Sequence, residues 1–202
     1  MVLVPSISKK QWPSLAALLI GNSVPLFGAL FLGWDLFDTL TLFWLENWVV
    51  MFYTALRMTL VKPAEPWPLK FFMIPFFLVH FGLFTIGHGI FLVILTGANE
   101  NIVEASLIHV AMAILGVFLS HGVSFVQYFF VNGAWKKQTR LGDIMARPYG
   151  RIWVMHLAVM LAAGFATLFP AGVALAIILI VLKTVADAWS HLSTHAKDVE
   201  QL

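Results

Sequence analysis

Three histidines, His80, His121 and His191, lie on three different apolar stretches, and Asp187 stands one helical turn before His191. Counted from the outer end of each stretch at about 1.5 Å per residue, all three imidazoles fall about 20 residues deep, at one level near the edge of a hydrocarbon layer. Neutral imidazole is the commonest biological metal ligand, and zinc accepts three histidines while a fourth position stays open for water. Water held that way ionises near a pKa of about 7 and becomes a nucleophile. Asp187 would then serve as ligand, general base or orienting group. The chain has no cysteine, so any metal would be held by nitrogen and oxygen. These residues set a first expectation: a divalent metal, zinc above all, on His80, His121 and His191, with Asp187 as the catalytic carboxylate of an intramembrane hydrolase acting on a lipid or amide.

Glu46, His88, His156 and Lys183 form a second level, about 11 to 14 residues from the outer ends, near mid-bilayer. An isolated charge there is costly, so Glu46 and Lys183 are expected to compensate each other, with His88 and His156 as further buried polar groups. Two alternatives use the same residues. Glu46, Lys183 and Asp187 would make a relay for a proton-coupled carrier. His80 and His121 would make an axial pair for a haem, although a third histidine and a nearby aspartate at that level favour a small metal.

The elements that must carry these side chains are apolar spans. Of the 202 residues 60% are hydrophobic and 11% charged, and the mean hydropathy is +0.90, so lipid is the solvent that this surface suits. Six spans can be drawn, at residues 14–33, 38–60, 70–96, 104–131, 150–169 and 171–195, with tight reversals at Gly33-Trp34-Asp35 and Phe169-Pro170-Ala171-Gly172. In the last span Lys183, Asp187, Ser190, His191 and Thr194 share one third of the helix circumference. The expected fold is an all-α, six-helix transmembrane bundle forming a single domain. Residues 132–149, with Lys136, Lys137, Arg140 and Arg147 among Trp135, Leu141 and Ile144, read either as an amphipathic interfacial piece or as a plain basic loop.

Eleven of the 12 lysines and arginines fall at one side of the spans, and the opposite connections carry Asp35, Asp38, Glu100 and Glu104. The positive side is cytoplasmic, which predicts both termini inside and a multi-pass protein of the inner membrane. Residues 1–14 lack a small-residue cleavage site, so no removable signal peptide is expected. The bilayer and a lipid-like substrate are the partners this pattern suggests. Nucleic acid is not, and transport through six spans would call for a homodimer.

Pro148-Tyr149-Gly150-Arg151-Ile152-Trp153-Val154-Met155-His156, Leu182-Lys183-Thr184-Val185-Ala186-Asp187 with His191, and Phe43-Trp44-Leu45-Glu46-Asn47 together carry a likeness. With His80, His88 and Ser120-His121, it spans most of the chain. The sequence resembles DUF6498, a family of bacterial multispan membrane proteins, and the resemblance implies a multispan fold without assigning an activity. A second likeness is one of chemistry only. Asp187 with His191-x3-His195 is similar to the C-terminal pattern of the intramembrane zinc hydrolases that include alkaline ceramidases and adiponectin-type receptors. This chain departs from them in having six spans where they have seven, and no Ser-x3-His on an early helix.

Overall fold

Helix α1 spans Trp12–Phe31, α2 Leu36–Leu60, α3 Leu69–Thr96 and α4 Val103–Val126; two short strands, β1 at Lys62–Pro63 and β2 at Gln138–Thr139, precede α5 at Leu141–Ala146 and α6 at Tyr149–Ala166. The computed structural model describes residues 12–34, 36–96, 103–166, 177–178 and 180–185, the last of these helical. The architecture is all-α. Over Leu69–Ile94 and Ala111–Val131 the helices are long and apolar enough to cross a membrane. Of the described residues, the helices begin and end within a few positions of the stretches drawn from hydropathy, while most of residues 171–195 lies outside them.

Helix α2 is central because it is buried on more than one side. Leu40, Phe43, Asn47, Val50, Thr54 and Met58 recur at steps of three and four, and Leu42 and Val49 are buried on another flank. It packs against α1, α3, α4, α5 and α6. The outer helices show the complementary pattern. Helix α3 buries Phe77, Phe81, Thr85, His88 and Leu92 along one stripe and exposes Phe72, Val79, Leu83, Ile90 and Val93, the last at 71%. Water penalises such a surface by about 25 cal/mol per Å², whereas hydrocarbon does not.

The α1–α2 reversal depends on Gly33, whose φ of 70° is left-handed. The turn brings the Trp34 N–H to the Gly28 carbonyl at 3.0 Å, and the indole seats on Gly28, where a Cβ would meet the ring at 2.3 Å.

Residues 132–149 fold into a series of short elements. Helix α4 runs on through a π-helical turn, Gln127–Val131, and β2 then pairs in parallel with β1, Lys62 opposite Gln138 and Pro63 opposite Thr139. Both Glu65 carboxylate oxygens accept the Leu141 N–H, at 3.2 and 3.1 Å, at the start of α5. Leu141 and Ile144 then insert beside Met58, Val61, Phe125 and Ile152. Lys70 donates to the carbonyls of Thr59 at 2.9 Å and Val61 at 2.6 Å, which closes the carboxyl end of α2. The basic connection is thus clasped onto the bundle through α5, and it fixes where Arg147 and Arg151 enter.

Gly28→Ala should destabilise the protein by about 1–3 kcal/mol, because Trp34 is buried and its ring must move to admit a methyl group. Gly116→Ala, with no atom within 4 Å of its added Cβ, should be neutral or gain up to about 1 kcal/mol from helix propensity. Thermal unfolding of the two variants in detergent checks the difference.

Candidate functional site

Glu46 lies halfway along α2, 8% exposed, and a carboxylate so placed must find cations or lose its charge. Two cations and an imidazole, on three helical segments, surround it. Arg151, on the first turn of α6, donates from Nη1 to Oε1 at 2.6 Å. Lys183 donates from Nζ to Oε2 at 2.7 Å. His121, on α4, places Nε2 3.2 Å from Oε1. Each carboxylate oxygen therefore has at least one charged donor, the arrangement that makes buried ion pairs tolerable. The Lys183 ammonium also sits 4.9 Å above the Phe43 ring, and the His121 ring stacks on Tyr53, whose hydroxyl donates to the Phe118 carbonyl at 3.2 Å. Packing thus fixes the orientation of the groups that surround Glu46.

A cavity of about 400 Å³ opens beside this cluster. Phe43, Glu46, Asn47 and Lys183 line its inner side, Arg147, Gly150 and Arg151 the part around the start of α6, and Val154, Met155, Leu157, Ala158, Leu161 and Leu182 the remainder. The α6 residues among these recur at steps of three and four, so the cavity follows one face of the helix for about three turns. Its volume is in the range of small-molecule sites, and a few convergent polar groups on an otherwise apolar lining is the usual composition of one.

The other sequence candidates have different partners. Nδ1 of His80 is 2.7 Å from the Tyr149 hydroxyl at the head of α6, and its ring lies between Phe76 and Phe84. His80 itself is exposed on α3. His88 is buried, and its Nε2 lies 3.3 Å from Nδ1 of His156; His156 was expected to be buried and is exposed, because it projects from the outer side of α6 next to Trp153. Of the expected metal set, His121 is joined to Glu46 and His80 to Tyr149, while His191 and Asp187 lie outside the described residues. Among the described residues no three histidine, aspartate or glutamate side chains gather as a metal group.

Arg151 is the residue that depth counting overlooked. It looked like one more cytoplasmic cation, but Arg151, Met155 and Ala158 share the inward face of α6 at helical spacing, and that periodicity marks its side chain as inward. Arg147, four residues earlier, reaches the same cavity.

Removing Glu46 leaves several donors around an apolar site without their carboxylate. Glu46→Ala should therefore cost about 3–5 kcal/mol. Lys183→Met should cost less, since Arg151 and His121 still cover the carboxylate. Comparing the two variants and the double variant by thermal unfolding in detergent checks the ranking, and a smaller loss in Glu46→Ala than in Lys183→Met would contradict it.

Neither a curated protein nor a solved structure matches the chain. A family model does, over residues 5–201, and includes every residue of the Glu46 cluster: the chain belongs to DUF6498, a family of unknown function.

Proposed function

We propose that the protein is a six-span bundle of the inner membrane, with both termini cytoplasmic, that works as a proton-coupled carrier with Glu46 as its switching group. The observation that carries this reading is one buried carboxylate bound by His121, Arg151 and Lys183, on three different helical segments, at the wall of a cavity. Protonating Glu46 removes its charge, and the Arg151 and Lys183 cations that it holds together then repel each other across a site of low dielectric. Helix α6 and the segment bearing Lys183 part, and the cavity between them changes access. Deprotonation draws them back. His121 is placed to pass the proton, since its Nε2 lies 3.2 Å from Oε1. Asp187, one turn beyond Lys183 in the sequence, extends the relay towards the cytoplasm.

The zinc hydrolase reading, with His80, His121 and His191 as ligands and Asp187 as base, ranks second, as does haem on His80 and His121. What favours the carrier is that His80 and His121 are engaged by different partners, Tyr149 and Glu46. The bilayer is the proposed environment. A homodimer is the proposed assembly, because six spans leave little wall around a path.

In proteoliposomes loaded with a pH-sensitive dye, an imposed pH gradient should drive proton uptake through wild type, and Glu46→Gln should abolish it while the protein stays folded. Uptake unchanged in Glu46→Gln removes the carrier reading. Stoichiometric zinc by elemental mass spectrometry, lost in His121→Ala, would restore the hydrolase. Topology has a separate test. The chain has no cysteine, so Lys137→Cys should react with an impermeant thiol reagent only from the cytoplasmic side and Asp38→Cys only from the other.

A further inference from the structure

The cavity beside Glu46 is graded along its length. At the end formed by the start of α6, Arg147 and Arg151 face it. Arg57, at the carboxyl end of α2, lies within electrostatic reach of both. Among the described residues Arg147 has no carboxylate within ion-pair distance, and the buried Arg57 Nε has no hydrogen-bond partner, its guanidinium lying 5.3 Å over Tyr128. Two guanidinium groups lining one end of a cavity are a recognition element for planar or tetrahedral oxyanions, which accept two N–H bonds from each fork, and Arg57 adds positive charge behind them. The amino end of α6, an 18-residue helix, opens at the same place, and its dipole also favours negative charge there.

The other end is apolar. From residue 150 to 161 the lined face of α6 runs about 16 Å at 1.5 Å per residue. Leu157, Leu161 and Leu182 are exposed as well as lining, so this end opens sideways onto the outer apolar surface. Arg147 is exposed at the opposite end. A site cationic and solvent-facing at one end, and apolar and surface-facing at the other, suits a ligand of the same polarity.

We propose that the cavity takes an anionic amphiphile, a single apolar chain with a carboxylate or phosphate head, with the head at Arg147 and Arg151 and the chain along the α6 face towards Leu161 and Leu182. This rests on reading the cavity as the carrier's transport site, and it names the class of solute moved. Arg147 is the anchor. Arg151 is shared with Glu46, so the charge on Glu46 sets how strongly Arg151 holds the head group, which links proton uptake to ligand capture.

The test uses the full chain in phosphatidylcholine nanodiscs and scores retained ligand by native mass spectrometry. Dodecyl phosphate and laurate should bind one per chain, and dodecanol and inorganic phosphate at least about tenfold more weakly, since each lacks one half of the ligand. Arg147→Gln should weaken dodecyl phosphate about tenfold, Arg147→Lys less, and Leu182→Trp, which fills the apolar end without touching the head site, should also weaken it. Equal binding of dodecanol and dodecyl phosphate, or full binding by Arg147→Gln, overturns the proposal. Including phosphatidylglycerol in the disc separates the sources: displacement of dodecyl phosphate identifies a bilayer lipid as the ligand, persistence a free amphiphile, and both support the site. Glu46→Gln separates this proposal from the carrier reading. Intact amphiphile binding together with Glu46-independent proton flux would leave the site standing and remove the carrier.

Discussion

The interaction on which the rest depends is the neutralisation of Glu46. A carboxylate moved from water to a poorly polarisable interior costs several kcal/mol even after relaxation, and the charge survives only if donors are already in place around it. Helix α4, the first turn of α6 and the segment bearing Lys183 are each held by that requirement, because each ends one of its side chains on the same two oxygens. The clasp formed by β1, β2 and α5 serves it too, since it sets the position from which α6 enters with Arg151. Among the described residues α2 packs against α1, α3, α4, α5 and α6, so a carboxylate placed on it becomes a hub.

Such a hub is suited to two states. Moving an equilibrium from 1:99 to 99:1 needs a ligand that prefers one state by about 10⁴-fold, or about 5.5 kcal/mol. Breaking a buried ion pair by neutralising one partner costs about 3–5 kcal/mol, so one proton on a carboxylate shared by several cations has nearly the required leverage. Among the described residues the hydrogen-bonded pair His88 and His156 holds no such group of ion pairs, so the switch is assigned to Glu46 and a packing role to that pair. The cavity is lined by α6 and by Lys183, so under the proposed carrier reading that leverage would act at the walls of the candidate binding site.

Much of the fold was legible because its signal is periodic and one-dimensional. Apolar run length located the helices, and glycine at 33 located the first reversal. Depth along each span put Glu46 and Lys183 at one level, and they are in contact. Depth alone cannot give azimuth, however, and the site depends on azimuth. His80 and His121 share a level yet turn to Tyr149 and Glu46. Arg151 counts among the cytoplasmic-side cations by its place at the start of a span, although its helical phase is inward. The structure of residues 132–149 was also hidden. Its β1–β2 pairing and the Glu65 cap join segments more than 70 residues apart, and no local pattern announces a contact of that separation.

The central claim, that Glu46 exchanges a proton within its cationic cluster, is tested most directly by pH-difference infrared spectroscopy of the reconstituted protein. A carboxylic acid C=O band should rise as pH falls, be absent in Glu46→Gln, and titrate together with amide changes from helix movement. The same band persisting in Glu46→Gln, or no carboxyl band in wild type across the pH range in which the protein stays folded, would contradict it and leave Glu46 a fixed structural anion.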